Sequence, residues 1–319
     1  MTAPDEVSSR ESPVLSRIAL RSALTLAAGL SPRASRTVAR ILASIQYGCS
    51  RKRRRAVLEN LAWIGAAGHP LLRLDEDRDR VARAIFESYQ RFFLEFLSQG
   101  RAFRSDGGAP VGFVGMETLY RAVGRGRGAI VVAPHVGNWE WGALALARLG
   151  FRVHAVTGVQ FHAALAPAVR SLKERQGITV HTPDDGFAPL VTALRRGGLV
   201  LLLADGDVHS RSLAVPFFGR MVAVPSGPAL LARRTRAPIV HAHARRHPSG
   251  AIEVVIDGAD DPDRSLPLAS DVRRLTERIA AVTEATIARH VTQWCIFRPI
   301  FGSSEAAVPA GAPPRRNAA

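Results

Sequence analysis

His135 and Glu140 stand five residues apart in the stretch Ala129-Ile130-Val131-Val132-Ala133-Pro134-His135-Val136-Gly137-Asn138-Trp139-Glu140-Trp141-Gly142. An imidazole titrates with an unperturbed pKa of about 6.5, so it can take a proton from a hydroxyl near neutral pH. A carboxylate bonded to its second ring nitrogen would fix the tautomer and stabilise the imidazolium. Gly137 and Asn138 follow at the expected start of a helix, where backbone N–H groups are available to a developing oxyanion. Residue type and spacing also allow a plainer reading. A histidine at a strand end is often structural, and a glutamate in a first helical turn is a common partner of the helix dipole.

The surrounding pattern supplies the elements that would position the pair. The apolar run before Pro134 predicts a short buried strand, and Asn138 to Leu149 the helix after it. Further strands are expected at Phe151 to Val156, Ile178 to Thr182, Leu199 to Ala204, Ile239 to His243 and Ile252 to Ile256. Helices are expected at Thr118 to Val123 and near His162 to Gln176, Phe187 to Arg196, Gly227 to Thr235 and Ser270 to His290. Alternation of this kind indicates an α/β fold with a mixed, largely parallel central sheet flanked by helices. Ligands of such sheets collect at the carboxyl ends of the strands. Two expected strand ends carry titratable groups there: His135, and Asp205-Gly206-Asp207.

The N-terminal part reads differently. Residues 1–13 are polar and lack an apolar period, as disordered segments do. Val14 to Tyr47 carries two short helical patterns broken at Ser31-Pro32, with Arg17, Arg21, Arg33, Arg36 and Arg40 among Ile, Leu and Val. A basic helix with an apolar face can lie in the headgroup plane of a membrane. The run Arg51-Lys52-Arg53-Arg54-Arg55 opens the next helical stretch, where it could hold anionic headgroups or form a solvated basic face. In Val81 to Leu97, Ile85, Tyr89, Phe92, Phe93 and Phe96 form one apolar stripe, the mark of a core helix. The organisation expected is a helical membrane-associating region over 14–100, one domain with an α/β core over 101–302, and a Pro-rich tail over 303–319.

Composition narrows the function. Lys plus Arg number 43 against 27 Asp plus Glu, a formal net charge of +16. Such an excess favours an anionic partner. Aromatic residues are only 6%, and they cluster in the apolar helix and in Pro216-Phe217-Phe218-Gly219. They are not interleaved with basic residues as a nucleic-acid surface would require, so nucleic acid is not the expected partner. The two cysteines do not form a C-x-x-C pair, and a disulfide framework is excluded. No histidine spacing makes a metal set with Glu140; His241 and His243 read as ordinary strand residues, and no metal is expected. No stretch reaches the roughly 18–20 apolar residues of a membrane span, so any membrane contact is expected to be peripheral or monotopic.

Taken with its context, His135-Val136-Gly137-Asn138-Trp139-Glu140 resembles the H-x4-D/E motif of glycerolipid acyltransferases. It is most similar to the bacterial branch that makes late acylations of lipid A and acylates phosphatidylinositol mannosides. Other blocks agree in order over roughly residues 15 to 302. These are Arg53 to Leu61, Phe86 to Phe96 with Glu95, Val215 to Gly219, Pro225 to Ala232, Gln293-Trp294 and Phe297-Arg298. The resemblance implies transfer of an acyl group from acyl-carrier protein or coenzyme A to a hydroxyl of a glycolipid, with lipid A-type acylation favoured and a phosphatidylinositol mannoside as the alternative. It implies a place on the cytoplasmic face of the bacterial inner membrane and no cofactor beyond the thioester substrate. His135 would be the base and Glu140 its orienting acid, without a covalent acyl-enzyme; no Gly-x-Ser-x-Gly elbow is present. The family's arginine matches Arg175 best and Arg170 second, and Asp205 matches the aspartate after its Leu-rich strand. Gly206 departs from the pattern, standing where relatives carry a longer side chain.

Overall fold

A computed structural model describes residues 26, 29–102, 111–157, 166–205 and 212–301. Residues 1–13, Arg17, Arg21, the 104–110 loop, Gly206, Asp207 and the 303–319 tail lie outside them.

Among the described residues, three long helices precede the sheet. Helix α1 (Pro32–Cys49) begins where the Ser31 side chain accepts from the Ala34 N–H, with Pro32 in the first turn, so the expected break at Ser31-Pro32 is a helix start. Helix α2 (Arg51–Ala66) carries the basic run in its first turns, and α3 (Asp75–Ala102) holds the aromatic stripe. Asp75, Glu76 and Asp77 complement the dipole at the start of α3. Its apolar face meets α1 and α2 around Ala43, Tyr47, Leu61, Ile85 and Phe86, in a cluster that continues to Phe217, Ile287 and Trp294. The helical region therefore shares a core with the α/β part.

The remaining elements are β1 (Val111–Val114), α4 (Met116–Val123), β2 (Ala129–Ala133), α5 (Trp139–Arg148), β3 (Val153–Val156), α6 (Ala166–Glu174), β4 (Ile178–His181), α7 (Ala188–Arg195), β5 (Leu199–Leu203), β6 (Ser212–Phe217), β7 (Arg220–Pro225), α8 (Gly227–Thr235), β8 (Ile239–Arg246), β9 (Ile252–Asp260) and α9 (Leu268–Arg289). The seven-stranded sheet has the order β1-β9-β8-β2-β5-β3-β4. Every neighbouring pair is parallel except β8–β9, so the sheet is mixed and largely parallel. Helices α4 and α5 cover one face through Leu119, Trp141, Leu144 and Leu146; α7, α8 and α9 cover the other through Leu194, Leu231, Leu275 and Ile279. The short strand β1 and the hairpin β6–β7 were not among the expected elements. The hairpin alternates buried Val215, Phe217, Val222 and Val224 with exposed Pro216 and Met221, and lies on the cluster below α3 and α9.

Register decides what meets at the sheet's carboxyl edge. In the parallel pair β2–β5, Ala133 lies opposite Leu203. Two residues beyond each is His135 on one strand and Asp205 on the other. Side chains two apart on a strand face the same way, so this register brings His135 and Asp205 together.

Candidate active site

His135 projects from the carboxyl end of β2, and Asp205 from the end of β5. The Asp205 carboxylate binds His135 twice: Oδ1 lies 2.7 Å from the ring Nδ1, and Oδ2 accepts the His135 backbone N–H at 2.8 Å. The Trp294 indole N–H adds a third bond to Oδ2 at 2.7 Å. Burial opposes the charge on Asp205, but the neighbouring His135 and these hydrogen bonds hold its carboxyl below the usual carboxylate range. The carboxylate side chain is fully buried, whereas the imidazole is 15% exposed. An imidazole held at Nδ1 by an ionised carboxylate leaves Nε2 to accept a proton. The Trp139 ring packs edge-on to His135 at 5.0 Å and stacks on Phe92 at 4.1 Å.

Glu140 is elsewhere. The expected contact with His135 is absent because Asp205 occupies Nδ1, and the glutamate points inward from the first turn of α5. There its Oε1 lies 2.7 Å from Lys173 Nζ, and Lys173 also donates to Thr157 Oγ1 at 3.2 Å. Both side chains of the ion pair are more than nine-tenths buried, at 8% and 5% exposure. Lys173, on α6, belonged to none of the motifs read from the sequence.

The expected oxyanion donors at Gly137 and Asn138 are already used. The Gly137 N–H binds the Gln293 carbonyl at 3.0 Å, and the Asn138 N–H binds the Ala244 carbonyl at 2.8 Å. Gly137 has φ +67°, and a Cβ there would collide with the Ala244 carbonyl, so a close backbone crossing explains the glycine. Asn138 caps α5 by accepting the Trp141 N–H, while its amide donates to Glu95 Oε2 at 2.7 Å. Arg246 donates to the same oxygen at 2.5 Å, and Gln293 bonds the Arg246 backbone on both sides. Glu95 thus ties α3 to the turn that carries His135.

The two arginines expected at the site are outside it. Arg175 is exposed and bonds Ser171; Arg170 bonds Glu174 and the carbonyl of Val180 on edge strand β4. In the basic run, Arg53 and Arg54 lie over the rings of Phe297 and Tyr47, Arg55 pairs with Glu59, and Arg51 and Lys52 are exposed. His241 and His243 bond Asp260 and Asp257, in keeping with strand residues held in place.

Between α5 and the sheet lies a partly open, mainly apolar void of about 70 Å³. Ala133, Leu203 and Trp139 line it near the carboxyl edge; Val131, Leu201 and Leu146 line it deeper. Parallel pairing puts Val131 and Leu201 in one row and Ala133 and Leu203 in the next. The Glu140–Lys173 pair is its main charged lining. The lining is mainly apolar, as a hydrocarbon chain requires.

A histidine bonded to a buried carboxylate is chemically able to take a proton from a hydroxyl. Comparison with known proteins gives the family. The family model for bacterial lipid A biosynthesis acyltransferases matches residues 15–302, and the chain belongs to that family. It is similar to the phosphatidylinositol mannoside acyltransferase of Mycolicibacterium smegmatis, at 26% identity over 75% of this chain and 77% of that protein. A similar match to the Mycobacterium tuberculosis protein of the same name has 27% identity over 58% of each chain. The lipid A biosynthesis acyltransferase of Haemophilus influenzae matches at 24% identity over 48% of this chain and 50% of that one.

Proposed function

We propose that the protein transfers a fatty acyl group from a thioester, carried by acyl-carrier protein or coenzyme A, to a hydroxyl of a glycolipid. The observation that carries this reading is the His135–Asp205 pair, with the Trp139 ring that touches His135 lining the apolar void. The acyl chain lies beneath α5, His135 Nε2 takes the acceptor's proton, and Asp205 stabilises the imidazolium. Lipid A-type acylation was the expectation from sequence. The longer match to the M. smegmatis protein favours a phosphatidylinositol mannoside as the second reading. The test is to supply purified protein with acyl-carrier-protein and coenzyme A thioesters, and with a lipid A precursor or a phosphatidylinositol mannoside in mixed micelles. Acyl ester should form on one acceptor, seen by mass spectrometry. No ester on either acceptor with either donor sinks the reading.

The acceptor is a membrane lipid in this reading, so the protein must reach a bilayer. Among the described residues, no helix is long and apolar enough to cross one. Helix α1 offers another route. Its Ala39, Ala43 and Tyr47 face inward, while Ile41 and Ile45, each more than half exposed, and Leu42 face out beside Arg33, Arg36 and Arg40. An apolar stripe flanked by arginines suits the interface of an anionic membrane, here the cytoplasmic leaflet of the inner membrane. Arg51 and Lys52 at the start of α2 repel that helix's own dipole, and a headgroup phosphate would offset this. Replacing Ile41 and Ile45 together by Glu should weaken co-sedimentation with anionic vesicles at least about tenfold, given roughly 1.5–3 kcal/mol for burying such a side chain fully. Equal binding of variant and parent would remove α1 from the membrane.

A further inference from the structure

The reaction needs a donor that the site so far lacks. When the acceptor oxygen attacks the thioester carbonyl carbon, a C–O bond forms, the π pair moves onto the carbonyl oxygen, and the proton goes to His135. Collapse restores the carbonyl, breaks the C–S bond, and returns the proton to the departing thiolate. The oxyanion formed between the two steps must be held by hydrogen-bond donors in a site shielded from water.

The neighbouring donors are engaged. The N–H groups of Gly137 and Asn138 are bound to the carbonyls of Gln293 and Ala244. The Lys173 ammonium is bound to Glu140 and Thr157. The Trp139 indole N–H differs from all of these: Nε1 is buried and has no hydrogen-bond partner among the described residues. A buried donor of this kind is rare in folded proteins and calls for a reason. Its ring touches the His135 ring and lines the void next to Ala133. Stacking on Phe92 holds the indole in that position. A phenylalanine could make the same stack and would bury no polar atom, so packing does not explain the choice of Trp.

Resting on the acyl-transfer reading above, we propose that Trp139 is a catalytic residue whose indole N–H donates to the thioester carbonyl oxygen and holds the oxyanion. The void positions the acyl chain, His135 handles the proton, and Trp139 takes up the charge that develops on oxygen.

The test compares Trp139→Phe with replacement of Trp139 by benzothienylalanine, which keeps the bicyclic shape and lacks the N–H. Loss of one oxyanion donor lowers kcat by about 10²–10³-fold. Both variants are expected to lose kcat on that scale, with the KM for the acyl thioester and the melting temperature close to those of the parent. If the isosteric variant keeps its rate within about twofold while Trp139→Phe does not, the ring acts by packing and the proposal is overturned. It is also overturned if both variants keep the parental rate. If the parent protein esterifies no acceptor, the acyl-transfer reading falls and takes the proposal with it. Parental activity with unaffected variants overturns the Trp139 role alone.

Discussion

Replacing Asp205 by Asn is expected to slow acyl transfer by about 10⁴-fold, the scale found when the carboxylate behind a catalytic imidazole becomes an amide. The cause is a tautomer. The Asn oxygen can still accept from Trp294 and from the His135 backbone, so the loop keeps its shape. The amide nitrogen then faces His135 Nδ1 and donates to it, which moves the ring proton to Nε2, where the acceptor's proton has to go. A factor of 10⁴ is roughly 5.5 kcal/mol of barrier, whereas binding of the acyl thioester should change little. His135→Ala should lose at least as much. Glu140→Gln, by contrast, should retain the rate within about tenfold, because Glu140 bonds Lys173 and not the imidazole. Steady-state kinetics on the three variants decide between the two acids. A loss for Glu140→Gln as large as that for Asp205→Asn would restore Glu140 as the orienting group.

The Glu140–Lys173 pair should report on stability instead. Breaking a buried ion pair from one side leaves an uncompensated charge, at a cost of roughly 3–5 kcal/mol. Glu140→Leu and Lys173→Met should each lower the urea midpoint accordingly. The double variant removes both charges from an apolar void and should recover most of the loss, a strongly non-additive cycle. Additive losses would mean that the two charges do not sense one another. Recovery of folding in the double variant would also allow its acyl-chain preference to be measured without a charge in the void.

The parallel core was legible because buried strands and amphipathic helices carry opposite periods; Ala129–Ala133 and Leu199–Leu203 stand out as apolar runs. The sheet edge as the location of the site followed from what those runs end in. The partner of His135 did not. Five residues along the chain suggested Glu140, but proximity there depends on register between strands 70 positions apart, and no local pattern encodes that β2 pairs with β5. Lys173 was hidden for a related reason: one lysine on a helix with ordinary surface periodicity becomes buried only when the fold brings it to Glu140 on α5. Gly137 and Asn138 were read as open donors because a helix start exposes N–H groups. The crossing by β8 and by the segment at Gln293, far away in sequence, closes them. The hairpin β6–β7 escaped because a proline in the first strand obscures an alternation that becomes visible once Val215 and Phe217 face the core.

Glu95 has a geometric consequence. It belongs to α3, which packs directly on α1, and its carboxylate holds both Asn138 and Arg246 around the turn that carries His135. If α1 lies on the bilayer as proposed, this linkage makes the protein a gauge of height: the base stands at a set distance above the lipid plane and is not carried on a flexible arm. Hydroxyls on a glycolipid headgroup differ in how far they rise from that plane. A rigid base at one level would select among them by altitude, so the position acylated would follow from where the protein rests as much as from how it grips the sugar.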